Sequence, residues 1–72
     1  MKVLLTLVIC SAVAGDCLPA FQYPTSFDNY YDCMIQGYEE SKLKSIQIGP
    51  EEINLHQIYI KFGCSEVPHT ET

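Results

Sequence analysis

Hydrophobic and polar positions along the chain fall into stretches with different periods. Val3-Leu4-Leu5-Thr6-Leu7-Val8-Ile9 follows the single charge of Lys2 as one apolar run and passes into small residues through Gly15. Residues 16–24, DCLPAFQYP, contain two prolines and little periodicity, and predict an extended arm. Phe27, Tyr30, Tyr31, Met34, Ile35 and Tyr38 then recur at i, i+3, i+4, i+7, i+8 and i+11, the spacing of one helix face. Thr25 stands before this run as an N-cap, with Asp28 three residues on as a weaker form of the capping-box acid. Glu39 with Lys42 and Glu40 with Lys44 add support near the end. The pattern predicts a helix over about 26–43, its aromatic stripe facing a core. Gly37 inside it costs about 1 kcal/mol.

Beyond residue 43 the signals conflict, and from Ile53 to Phe62 two templates compete. Ser45-Ile46-Gln47-Ile48 alternates as a half-buried strand does, and Gly49-Pro50 is a turn. Ile58, Ile60 and Phe62 share one strand face and bring β-branched and aromatic content. Leu55, Ile58, Tyr59 and Phe62 also fit a helix, for which Pro50-Glu51-Glu52 is a good opening. The strand reading leaves fewer apolar residues facing solvent. It predicts a small disulfide-stapled α+β fold, one amphipathic helix followed by a short β-hairpin turning at Gly49-Pro50. A two-helix, all-α arrangement is the alternative. Residues 65–72, SEVPHTET, are polar and predict a frayed end.

The opening run changes how the rest is counted. One positive charge, a short apolar stretch and small residues at Ala12 and Ala14 are the three parts of a secretory signal peptide. Cleavage is expected before Gly15 or Asp16. A membrane span needs about 20 apolar residues, and Asp16 and Pro19 end this run too early. The chain of 72 residues therefore divides into a leader, 1–15, and one small secreted domain, 16–72. The domain keeps three lysines against nine acidic residues, a net charge of −6. That balance argues against nucleic acid, whose phosphates need clustered Lys and Arg. A chain of about 57 residues buries only about 60% of its unfolded surface and calls for disulfides.

Cys10 lies in the leader, so the domain retains Cys17, Cys33 and Cys64, an odd number. In an oxidising compartment, parity then points to one intrachain and one interchain bond, in a disulfide-linked homodimer or heterodimer. Closing the loop between Cys33 and Cys64 contributes about 3–4 kcal/mol, and between Cys17 and Cys33 about 3 kcal/mol, so spacing leaves the connectivity open. Cys33 is constrained by its helix and is the expected intrachain partner. Cys17 and Cys64 are the interchain candidates.

Catalytic chemistry finds little foothold. His56 and His69 have no Cys, His or carboxylate at metal-ligand spacing. Asp28, Asp32, Glu39 and Glu40 do not form a calcium loop. No nucleophile–base set can be assembled, and no Cys-x-x-Cys pair, glycosylation acceptor or dibasic pair occurs. No catalytic residue, metal site or cofactor is expected.

Cys17-Leu18-Pro19-Ala20-Phe21, with a middle and a late cysteine, resembles the cysteine layout of secretoglobins. The resemblance implies a helical, disulfide-linked dimer around an apolar cavity. It covers only that run and the cysteine count. The Cys17–Cys33 interval is too short for that family's helices, and Gly49-Pro50 interrupts the last one.

The sequence thus predicts a secreted, acidic, non-enzymatic polypeptide that binds an extracellular protein target, in the manner of a toxin or effector. An extracellular matrix polypeptide and a dimeric carrier of small apolar ligands are the alternatives.

Overall fold

A computed structural model describes residues 2–67. The fold is α+β: a four-stranded antiparallel sheet carries a long helix across one face, and two disulfides cross-link it. Strand β1 (Lys2–Ser11) is central, β2 (Asp16–Cys17) and β3 (Phe21–Gln22) lie along one edge of it, and β4 (Ile58–Val67) lies along the other. Helices α1 (Tyr30–Ile48) and α2 (Pro50–His56) connect the two sides.

The run read as a leader is thus the axis of the sheet. Its β-branched and leucine-rich content suits a strand paired on both edges. The pleat sends Val3, Leu5 and Leu7 to the helix side, where they are almost wholly buried. They meet Cys33, with Tyr23, Phe27, Ile60, Phe62 and Cys64 packed around them. Fully burying one such leucine contributes about 1.5–3 kcal/mol, so β1 supplies most of a very small core. The pairing of β1 with β4 runs from Lys2 opposite Val67 to Ser11 opposite Ile58.

The helix starts later than the Thr25 cap predicts. Phe27 is held extended by a two-way backbone pairing with Val3, each amide donating to the other's carbonyl at 2.9 Å. Helical dihedrals are unavailable to it there. Asn29 takes over as N-cap, its Oδ1 accepting from the Asp32 amide at 2.8 Å.

The expected hairpin turning at Gly49-Pro50 is corrected. Ser45–Ile48 completes α1 instead of forming a strand, and Gly49, at φ 93°, ends it. Pro50 at the helix start and the acids Glu51 and Glu52 in the first turn then open α2. Gln57 closes α2 in the left-handed region, at φ 51°. Only the second arm of the expected hairpin is a strand, and it pairs with β1 at the other end of the chain, from Lys2 opposite Val67 to Ser11 opposite Ile58. The preference for a sheet over an all-α fold stands, although the helical template held for 50–56. Ser65, Glu66 and Val67, expected as frayed, belong to β4. Residues 68–72, with His69, lie outside the described residues.

Candidate interaction surface

Helix α1 turns its two faces in an unexpected sense. The sequence places the aromatic stripe against a core. In the structure Tyr31 and Tyr38 are 72% and 62% exposed, and Tyr30, Met34 and Ile35 are also exposed. The buried residues of α1 are Cys33 and Gly37. Partly covered Gln36, Glu40, Ser41, Lys44 and Ser45 continue that same face at helical spacing.

The reason is close approach. A Cβ at Gly37 would run into the ring of Phe62, so glycine is what lets α1 lie directly on β4. The Cys33–Cys64 disulfide fixes the helix at this rotation. The glycine that weakens the helical pattern is therefore the contact residue. Its meaning depends on Phe62, a residue 25 positions later, so no local signal reveals it.

Turning the small face inward leaves a continuous aromatic and aliphatic surface outside. Tyr38 meets Phe62 edge to face, with ring centroids 4.9 Å apart. Tyr30, Met34, Tyr38, Ile60 and Phe62 line an open groove of about 620 Å³ between α1 and β4. Tyrosine is suited to a contact surface, offering a large rigid contact with a polar tip at low entropy cost.

A second hollow, about 340 Å³, is lined by Leu7, Ile9, Leu18, Phe21, Lys44 and Ile60. The Lys44 ammonium stands 5.5 Å from the centre of the Phe21 ring. Two of its lining residues belong to β1.

The cysteines pair as Cys10–Cys17 and Cys33–Cys64, leaving no free thiol among the described residues. Cys33 is the intrachain partner its helix suggests, and Cys64 is the residue it takes. With these pairings neither Cys17 nor Cys64 is available to another chain. The interchain bond expected from parity has no donor here, because Cys10 makes the count even.

The remaining singled-out residues have local roles. His56, read as having no carboxylate at ligand spacing, does have one: its Nε2 lies 3.3 Å from Glu52, four residues earlier on α2. Asp32 belongs to the Asn29 cap, and Glu40 accepts from Gln36 at 3.0 Å. Comparison with protein-family models, curated proteins and solved structures gives no match for this chain.

Proposed function

We propose that the chain is a secreted, acidic, non-enzymatic polypeptide that binds an extracellular protein target through the exposed aromatic face of α1 and the adjoining groove. The toxin- or effector-like reading belongs to this proposal. The single observation that carries it is the outward stripe of Tyr30, Tyr31, Met34, Ile35 and Tyr38 beside Phe62. These residues and the Cys33–Cys64 staple lie within residues 16–72, while the core beneath α1 is made with Val3, Leu5 and Leu7 of β1.

In this reading residues 1–15 are removed on export, with cleavage before Gly15 or Asp16. Cys10 leaves with them, and Cys17 becomes the one cysteine without an intrachain partner. The exported form is then a disulfide-linked homodimer or heterodimer through Cys17.

Cells expressing the full sequence should release material whose intact mass begins at Gly15 or Asp16. Non-reducing electrophoresis should show a species larger than the monomer that collapses on reduction. The double variant Tyr31→Ala/Tyr38→Ala should keep its circular dichroism and lose at least about tenfold in binding to cells that the native chain labels, as expected for central aromatic anchors. Unchanged labelling by that variant would remove the α1 face from the proposal. Retention of residues 1–14 in released material would remove the leader.

A further inference from the structure

The second hollow lies between the later turns of α1 and the sheet. At Gly37 the helix sits directly on the Phe62 ring. Further along, the partly covered residues on that side are Ser41, Lys44 and Ser45. Hydroxyls and an ammonium do not fill apolar space, and a gap of about 340 Å³ remains. Its floor is Leu7 and Ile9 of β1, with Ile60 opposite Ile9 on β4. The arm closes one side through Leu18 and Phe21. These two are 61% and 49% exposed, so solvent reaches the hollow past them.

Lys44 is the one charged residue among those lining this space. The sequence offers it Glu40 as a partner one turn earlier, but Glu40 accepts from Gln36 instead. Among the described residues no carboxylate pairs with the Lys44 ammonium. It stands 5.5 Å from the centre of the Phe21 ring, whose face attracts the cation but supplies no acceptor oxygen. The chain has nine acidic residues and four basic ones. A lysine left unpaired in such a chain, beside an apolar hollow, keeps its charge and its donors available to a ligand.

We propose that this hollow binds a medium-chain carboxylic acid as its anion, the carboxylate on the Lys44 ammonium and the alkyl chain over Ile9, Ile60 and Leu18. Apolar walls with a single polar group are the usual make-up of a small-molecule site, the polar group fixing orientation. One ammonium matches one negative charge and rejects a cationic head. Volume sets the length. At about 30 Å³ for a group the size of water, the hollow takes roughly eleven groups, or an acid of about eight to ten carbons. The net charge of −5 repels anions at a distance, so the attraction must come from direct contact with Lys44.

This site goes beyond the target-binding reading. It uses none of Tyr30, Tyr31, Met34, Ile35 or Tyr38. Leu7 and Ile9 belong to β1, so the site is a property of the chain that keeps residues 1–14 and does not rest on their removal.

The test uses the full chain of 72 residues with both disulfides formed, and octanoate as probe below its micelle-forming concentration. Isothermal titration should give one octanoate per chain, and nuclear Overhauser contacts should join its methylenes to the methyl groups of Leu7, Ile9, Leu18 and Ile60. Octanol, of equal length without the charge, and protonated octylamine should each bind at least about tenfold more weakly. Lys44→Gln should weaken octanoate by about the same factor and leave octanol unchanged, a split that a merely structural role for Lys44 would not produce. Leu18→Trp, which fills the hollow from its exposed side, should weaken both ligands. Circular dichroism checks that each variant keeps its fold. Equal affinity for octanoate and octanol on the unaltered chain would overturn the proposal without recourse to any variant. So would a folded Lys44→Gln chain that holds octanoate as well as the native one. Octanoate contacts to Met34 and Tyr38 in place of Ile9 and Leu18 would put the acid in the outer groove and overturn it as well.

Discussion

The chain has two apolar stripes, and the fold treats them oppositely. The stripe of β1, with its period of two, is buried to completion, with Val3 and Leu5 at 0% exposure. The stripe of α1, with its period of 3.6, faces solvent, and the helix meets the sheet through Cys33, Gly37 and partly covered polar residues. The helical pattern identifies its element but not its inward face, whereas the run of β1 is continuous and reads as a leader, with nothing in it that marks a strand or an inward side. A strand in mid-sheet buries whichever side the helix covers, and β1 has apolar groups on both sides, so either choice succeeds. A helix has one side to offer, and here close packing against Phe62 and a covalent link to Cys64 prevail over burial of its aromatic side.

That contrast can be tested by substitution, beginning with the link that sets the helix rotation. Replacing Cys33 and Cys64 together by alanine in the full chain should cost about 4 kcal/mol, since the bridge closes a 31-residue interval. The same replacement of Cys10 and Cys17, spanning seven residues, should cost about 2.4 kcal/mol. Denaturant titration of both pairs measures the difference. Equal costs would mean that the long bridge does not govern how α1 sits.

Leu5→Ala tests the buried stripe directly and should destabilise the full chain by about 3 kcal/mol, the range for a large-to-small change in a core. Thermal unfolding at fixed pH provides the number. A loss below about 1 kcal/mol would indicate that β1 is not the axis of the packed structure.

Gly37→Ala has a sign that separates the two orientations of the helix. By helix propensity alone, alanine stabilises by about 1 kcal/mol. Against the Phe62 ring it should instead destabilise by about 2 kcal/mol through overpacking. A more stable Gly37→Ala protein would mean that this face of α1 does not touch β4.

Asn29→Ala should cost about 1 kcal/mol by removing the cap on the Asp32 amide. Thr25→Ala, at the position suggested by the sequence, should change stability by less. The smallest effect belongs to the outward stripe. Ile35→Ala should stay within about 0.5 kcal/mol, as surface changes do. A loss of 2 kcal/mol or more there would place the aromatic stripe in a core after all.

The sequence by itself determined the α+β class, the long amphipathic helix and the strand around Ile58-Tyr59-Ile60-Lys61-Phe62, because periodicity and β-branched content are local properties. It also showed that Cys33 suits an intrachain bond. Tertiary structure decided what those local signals could not. Ser45–Ile48 alternates as a strand does, yet it completes α1, and β4 takes its partner from the other end of the chain. Thr25 lost its role as a cap because Val3 holds Phe27 extended, a contact 24 residues away. Gly37 appears as a weakness until Phe62 is laid on it. The aromatic stripe could be read as core because the sequence shows how apolar groups are spaced around a helix. Which side is buried is settled only by what lies against it.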